Sequence, residues 1–216
     1  MKEVIIGNRV CRIIERGKPE KAVYLVSEND EMLEEKLKGL DDFVLVLYSA
    51  EDWNRDLSPW PYRMNRNFDF AGKGIDTRRW LVNECVEYIR NTYGDIRHYP
   101  CGYSLAGLFS LWCLYEEDVF DGAGSFSGSL WFERWHDYVE KEKVRDTSRV
   151  YLSLGNRESH SRNPVMARVY DETVHQQKVL DKQCTCCFRI NEGGHFDNVA
   201  ERIADGIRWL LARDID

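Results

Sequence analysis

Ser104, Glu158 and His195 follow one another along the chain in an order suited to nucleophilic attack on a carbonyl group. Ser104 lies in the run Gly-Tyr-Ser-Leu-Ala-Gly, between a short strand-like segment and an apolar helical segment at residues 105–115. A serine at a tight strand-to-helix turn exposes its hydroxyl, and the first N–H groups of the helix face any anion that forms beside it. Ser104 is therefore the candidate nucleophile.

A carboxylate follows a predicted strand farther along the chain. Residues 150–154 are rich in β-forming side chains, and Glu158 stands in the loop beyond them. Asn163-Pro164 has the residue types of a helix start, so this loop is short and lies at the sheet edge where open α/β sheets bind ligands. We expect Glu158 to orient His195, whereas the alternative interpretation is a solvated loop charge. Two other carboxylates near the histidine compete for the role: Glu192 and Asp197.

His195 follows two glycines at the end of a strand-like segment, residues 186–190. This position allows the loop to fold back so that the imidazole reaches Ser104 as a general base. The segment after it has apolar residues at helical spacing, which predicts one buried stripe: Phe196, Val199, Ile203, Ile207 and Leu210. The other histidines are interpreted as surface or structural residues: His98, His136, His160 and His175.

Four short motifs resemble those of the putative esterase branch (esterase D-like, siderophore-esterase-like) of the α/β-hydrolase superfamily. They are Gly102-Tyr103-Ser104-Leu105-Ala106-Gly107-Leu108, Ser127-Gly128-Ser129-Leu130-Trp131, Leu154-Gly155-Asn156-Arg157-Glu158 and Gly193-Gly194-His195. The resemblance extends from about Asp42 to the last residue. It implies that Ser104 is the nucleophile, Glu158 the acid and His195 the base of a catalytic triad.

Two residues depart from the family pattern. Ala106 stands where the second glycine of Gly-x-Ser-x-Gly is usual, which adds one methyl group to the turn. Pro100 stands in a predicted central strand, where its missing N–H removes a ladder hydrogen bond.

The backbone near Ser104 is expected to stabilise an oxyanion. We expect one donor to be the N–H of Leu105 and the second to come from residues 50–53, with Trp53 as the assigned residue. Trp53 and Trp60 belong to a long aromatic segment at residues 49–74, and Trp131 follows another predicted strand. These three tryptophans are expected to bind an aromatic or extended apolar part of the substrate. In the alternative interpretation they pin the loop to the core.

The first functional hypothesis is a carboxylic ester hydrolase that forms an acyl-enzyme, with a small-molecule ester or thioester as substrate. Thioester hydrolysis and acyl transfer by the same triad are alternatives of the same chemical class. An inactive α/β-hydrolase scaffold that acts as a binding module is an alternative of another class. We expect neither a cofactor nor a metal ion.

Composition limits the partners and the compartment. The net charge is −7, which argues against nucleic acid and anionic membranes as partners. The first residues lack the apolar core of a signal peptide, and no apolar run is long enough to span a membrane, so we expect a cytoplasmic protein. Seven cysteines fit free thiols, and Cys184-Thr185-Cys186-Cys187 has no second ligand pair that would favour a metal site.

The order of predicted elements favours an α/β-hydrolase fold. Strands alternate with helices, which indicates a mostly parallel sheet with helices on both faces. Residues 4–15 and 21–26 are both strand-like and flank Gly17-Lys18-Pro19, so we expect an antiparallel hairpin at the N-terminus. No linker-like or repetitive segment is present, and residues 1–216 are expected to form a single domain.

Overall fold

An eight-stranded sheet forms the centre of the molecule in a computed structural model that describes residues 1–27, 31–66 and 68–212. The strands of the described residues are β1 (Lys2–Ile6), β2 (Arg9–Arg16), β3 (Lys21–Val26), β4 (Phe43–Tyr48), β5 (Pro61–Arg63), β6 (Asp69–Ala71), β7 (Arg97–Tyr103), β8 (Gly122–Phe126), β9 (Arg149–Gly155) and β10 (Thr185–Asn191). The order across the large sheet is β1-β2-β4-β3-β7-β8-β9-β10, and β5 and β6 form a separate antiparallel pair. From β4 to β10 the neighbouring strands are parallel.

The predicted N-terminal hairpin is confirmed, but it is formed by different strands from those expected. The segment at residues 4–15 is divided at Gly7, whose φ of +59° suits a tight turn, and β1 pairs antiparallel with β2. β2 then pairs antiparallel with β4, whereas β3 lies on the other side of β4 and is parallel to it. Gly17-Lys18-Pro19 is therefore a connection between strands that do not pair.

The helices of the described residues are α1 (Glu31–Lys36), α2 (Trp53–Asp56), α3 (Gly74–Trp80), α4 (Glu87–Tyr93), α5 (Leu105–Glu116), α6 (Trp135–Val139), α7 (Val169–Leu180) and α8 (Val199–Leu211). A π-helical segment, Leu81–Val86, joins α3 to α4, and short 3₁₀ turns occur at Glu158–His160 and Met166–Arg168. None of these helices combines the length and apolar character that crossing a membrane would require.

Two buried cores cover the two faces of the sheet, as expected for a strand whose side chains alternate. On β4, Val44 and Val46 belong to the core that contains α5, whereas Leu45 and Leu47 belong to the core that contains α1 and α8. Helices therefore lie on both faces of a mostly parallel sheet, and the predicted α/β-hydrolase fold class is confirmed.

The apolar stripe of α8 is present, with one exception. Ile203, Ile207 and Leu210 are buried against the sheet. Phe196 was predicted to belong to this stripe, but the helix begins only at Val199 and the Phe196 side chain is 88% exposed. This part of the prediction is wrong because the periodic pattern continues through a loop that precedes the helix.

Pro100 occupies a position in β7 that a proline can fill. The N–H of His98 points to the β8 side of β7 and donates to Asp121 Oδ2 at 2.8 Å. Alternation along the strand directs the nitrogen of Pro100 to that same side. The ladder with β8 begins only at Cys101, so the missing N–H does not interrupt the pairing of β7 with β3.

Close packing of α8 on the sheet gives a prediction about stability. A Cβ atom on Gly206 would lie 2.1 Å from Phe126 Cε1 and 2.8 Å from Tyr151 Cδ1. We expect Gly206→Ala to lower the free energy of unfolding in urea by about 1–3 kcal/mol, because overpacking outweighs the gain in helix propensity. Asp205→Ala changes a half-exposed neighbour whose carboxylate pairs with Arg208 at the surface, and it should stay within about 1 kcal/mol of the parent. A Gly206→Ala variant as stable as the parent would contradict this account.

Candidate active site

Ser104 lies at a sharp turn between β7 and α5. Its φ of +59° and ψ of −123° belong to a region that residues with a side chain rarely adopt, so the turn is strained. The small residue at position 102 makes the turn possible, since a Cβ atom on Gly102 would lie 2.3 Å from the carbonyl oxygen of Ala106. The N–H of Ser104 donates to Phe126 O at 2.9 Å, which ties the turn to the end of β8.

Hydrogen bonds connect Ser104, His195 and Glu158. His195 Nε2 is 3.0 Å from Ser104 Oγ, and His195 Nδ1 is 2.7 Å from Glu158 Oε2. The three residues follow the carboxyl ends of β7, β9 and β10, which lie close together in the parallel part of the sheet. The arrangement suits proton transfer from the hydroxyl to the imidazole while the carboxylate fixes the tautomer.

The second oxygen of Glu158 is bound in a buried pocket. Glu158 Oε1 accepts hydrogen bonds from Ser127 Oγ at 2.7 Å, from the N–H of Gly155 at 2.7 Å and from Arg202 Nη1 at 2.9 Å. Burial opposes ionisation of this carboxyl, but the hydrogen bonds from His195, Ser127 and Gly155 outweigh it and lower the pKa of Glu158. The group is therefore held as a carboxylate.

Arg202 supplies the countercharge, and the sequence analysis missed it. Its side chain is 1% exposed, and Nη1 also donates to Tyr103 OH at 3.0 Å. Nη2 donates to the carbonyl oxygen of Gly194 at 2.9 Å, and Tyr103 OH donates to that of His195 at 2.8 Å. Arg202 thus contacts Glu158 and the loop that carries His195. The sequence signal that could have indicated a buried role is its position next to Ile203, within the apolar stripe of a helix.

The competing carboxylates bind elsewhere. Asp197 Oδ2 accepts from the N–H of Gly194 at 2.7 Å and from Arg157 Nη2 at 3.1 Å, and Glu192 is exposed. The structure therefore brings Glu158, rather than either competitor, to the imidazole of His195.

The two expected oxyanion donors line the same cleft as Ser104. Leu105 and Trp53 are the first residues of α5 and α2, so their N–H groups have no acceptor within the helix. The cleft has a volume of about 650 Å³ and is lined largely by apolar side chains, among them Phe68, Phe70, Trp131, Val169 and Phe196. Such a cleft can hold a small organic molecule next to the serine hydroxyl.

The three predicted substrate-binding tryptophans are divided between two places. Trp53 and Trp131 line the cleft. Trp60 instead packs between Trp135 and Tyr138, with ring centroids 6.3 Å and 5.5 Å away, and its Nε1 donates to Glu133 O at 2.9 Å. It is not among the described residues that line the cleft. The structure favours the core-pinning interpretation for Trp60, and we leave it out of the proposed site.

The remaining histidines and the cysteines lie outside this cleft in the described part of the chain. His98 is buried and bonded to Tyr24 OH at 2.8 Å, and burial lowers its pKa to about 4, as befits a neutral structural residue. The seven cysteines are free thiols. His136 and His175, which are 39 positions apart in sequence, contact each other between α6 and α7.

Comparisons with known proteins identify the family and agree with the fold. The family described as Putative esterase matches residues 28–195. One similar solved structure is an IroE-like serine hydrolase from Shewanella oneidensis, with 17% identity and a TM-score of 0.78 over 95% of this chain and 77% of that one. A siderophore hydrolase from Aspergillus nidulans has 16% identity and a TM-score of 0.73, over 94% of this chain and 89% of that one. An enterobactin esterase from Shigella flexneri has 18% identity and a TM-score of 0.66, over 97% of this chain and 58% of that one. No curated protein matched the chain. At such identities the solved structures show a shared fold.

The buried ion pair of Glu158 gives a prediction about pH. Because the folded protein lowers the pKa of Glu158, its carboxylate stabilises the fold fully above the ordinary glutamate pKa of about 4.3 and less as the pH falls through the lower folded value. We expect Glu158→Gln to lower the free energy of unfolding by about 3–5 kcal/mol at pH 7, since Arg202 then lacks its countercharge. The difference from the parent should shrink below about pH 4.

Urea unfolding from pH 3 to pH 8 measures this effect. Glu192→Gln removes the same charge from an exposed side chain and should change stability by less than about 0.5 kcal/mol throughout. A deficit in Glu158→Gln that does not vary with pH would contradict the assignment of an ionised, stabilising Glu158.

Proposed function

The chain belongs to the putative esterase family and is an esterase, and from this premise we propose that it hydrolyses carboxylic esters through an acyl-enzyme on Ser104. The observation that supports this most is the continuous set of hydrogen bonds from Ser104 Oγ through His195 to Glu158. It joins a nucleophile, a base and an orienting acid in one cleft.

Each of the three residues has one role in the proposed reaction. His195 Nε2 takes the proton of Ser104 as the hydroxyl oxygen attacks the ester carbonyl, and the same proton then goes to the leaving alcohol. Glu158 keeps the imidazole in the correct tautomer and stabilises its positive charge. Water, activated by His195, attacks the acyl-enzyme and releases the acid and free Ser104.

The negative charge on the carbonyl oxygen is met by backbone donors in this proposal. The N–H groups of Leu105 and Trp53 begin two helices at the cleft and have no acceptor within their helices. Each donor of this kind contributes about 10²–10³-fold to the rate. The position of Leu105 directly after the nucleophile supports its assignment.

The proposed substrate is a small-molecule ester with an aromatic or extended apolar group. Trp53, Phe70 and Trp131 give the cleft flat apolar surfaces that suit such a group. The structure of the enterobactin esterase was determined in the presence of 2,3-dihydroxy-N-benzoyl-glycine, so esters that carry a benzoyl group are sensible members of a substrate panel. The same three catalytic residues can cleave thioesters or transfer the acyl group, so products should be analysed with thioesters and with added alcohols.

We place this activity in a single domain, residues 1–216, in the cytoplasm. The described helices cover both faces of one sheet, which supports a single domain. The cysteines form no disulfide, as is usual in a reducing compartment. The net charge of −7 supports the proposal that neither nucleic acid nor an anionic membrane is a partner.

The role of Ser104 is tested with a fluorophosphonate probe. The intact mass should rise by one adduct. Ser104→Ala should abolish this adduct and lower kcat about 10⁶-fold, without a change in melting temperature. Ser129→Ala and Ser161→Ala remove other serine hydroxyls that line the cleft and should keep the adduct. Labelling at a different serine, or none in the folded protein, would rule out Ser104 as the nucleophile.

The aromatic residues of the cleft are tested by substrate selectivity. Trp53→Ala and Trp131→Ala should lower kcat/KM about 10-fold or more for aromatic and long-chain esters and less for acetate esters, because the larger group loses more contact surface. Trp60→Ala is the matched control, since its ring packs against α6. It should lower the melting temperature and leave selectivity unchanged. Equal losses on all esters in Trp53→Ala and Trp131→Ala would contradict a substrate-binding role.

A further inference from the structure

Two histidines and a glutamate that the proposed reaction does not use meet between α6 and α7. His136 is the second residue of α6, Glu140 directly follows the last residue of that helix, and His175 lies in the middle of α7. One ligand atom of each residue lies within 4.8 Å of the others. His175 Nε2 is 3.7 Å and His136 Nε2 is 4.0 Å from Glu140 Oε1.

These distances are close to those of a metal site and longer than those of hydrogen bonds. Ligand atoms bound to one tetrahedral zinc ion at 2.0–2.1 Å lie about 3.3 Å apart. Glu140 is 56% exposed, so its side chain is free to move the roughly 0.4–0.7 Å that separate the observed distances from the ideal one. Closure around an ion requires movement of side chains: the carboxylate must approach, and His175 must turn out of its stack on His136 so that both in-plane nitrogen lone pairs point at the ion.

His136 is held in the orientation that a metal ligand needs. Its Nδ1 is 2.9 Å from Glu172 Oε2, and Glu172 is 7% exposed and also bonded to Arg168. With Nδ1–H donating to this carboxylate, Nε2 carries a lone pair and faces Glu140. Carboxylates that orient metal-binding histidines in this way are a regular feature of zinc sites.

His175 supplies an unsatisfied ligand atom. Within the described residues its Nε2 is buried and has no hydrogen-bond partner. The ring stacks on that of His136 with 3.7 Å between centroids and 12° between planes.

We propose that His136, Glu140 and His175 bind one zinc-class divalent transition-metal ion that links α6 to α7. Two imidazoles and a carboxylate are donors that zinc prefers, and they leave a fourth position for water. The ion would compensate the unpaired nitrogen of His175 and the exposed carboxylate of Glu140 together. The site is independent of the Ser104 chemistry, and its failure would leave the proposed function untouched.

Metal binding is measured on the full chain, without a histidine tag and after treatment with a chelator. Calorimetric titration with zinc chloride should give one ion per chain. At a free zinc concentration 100-fold above Kd, the melting temperature should rise by about 5–10 °C. Cobalt(II) should give visible absorption typical of a tetrahedral site without a thiolate charge-transfer band, which separates this site from binding at cysteines.

Variants locate the ion. His136→Ala and His175→Ala should each weaken zinc binding about 100-fold or more, and Glu172→Gln about 10–100-fold through loss of the orienting bond. His160→Ala and Glu142→Gln change an exposed histidine and an exposed glutamate outside the cluster and should bind as the parent does. His175→Gln, which keeps more of the buried volume, replaces His175→Ala if the alanine variant does not fold.

Two results would overturn the proposal. One is the absence of saturable binding by the parent at submillimolar zinc. The other is equal affinity of the parent and a folded variant that lacks both histidines, which would show that the ion binds at other groups.

Discussion

The carboxylate of Glu158 is the interaction on which the rest of the cleft depends. One oxygen faces His195, while the other accepts hydrogen bonds from Ser127, Gly155 and Arg202. A buried carboxylate is costly unless donors and a countercharge surround it. Here these partners come from the ends of β8 and β9 and from α8, so the group that orients the base also joins separate parts of the fold.

The parallel sheet explains why these partners meet. β7, β8, β9 and β10 are neighbours and point in one direction, so the residues that follow each strand lie at a common edge. The tight turn at Ser104 presents the hydroxyl at this edge, and its strain is supported by the ladder and the buried helix behind it. Backbone geometry positions the hydroxyl of Ser104, whereas hydrogen bonds to their side chains position Glu158 and His195.

Much of this arrangement could be predicted because it depends on local patterns. The strand ends, the Gly-x-Ser turn and the glycines before His195 are visible in short segments, and the sheet type follows from the alternation of elements. Contacts of distant residues that belong to no recognisable motif were missed. Arg202 looked like one charge in a helix, and Trp60 could not be told from Trp53, because burial and partners depend on the tertiary fold.

The same limit applies to the turns and to the remaining histidines. The sequence analysis placed the turn of the N-terminal hairpin at Gly17, whereas the hairpin turns at Gly7. The two glycines have almost identical φ values, so residue type and backbone conformation alone do not tell which strands a turn joins. His136 and His175 each occur in a polar helical segment, and nothing in sequence spacing indicates that their rings stack. Such contacts arise only when α6 and α7 pack.

The contacts of Arg202 with Glu158 and with the loop that carries His195 affect the order in which this region can form while the chain is synthesised on the ribosome. The strand and turn that present Ser104 emerge early, whereas α8 emerges last among the described elements. Until α8 docks, Glu158 lacks the guanidinium of Arg202, and the carbonyl oxygen of Gly194 lacks its hydrogen bond from the same side chain. A nascent chain can therefore form the turn at Ser104 before the hydrogen bonds that hold Glu158 and the loop of His195 are complete.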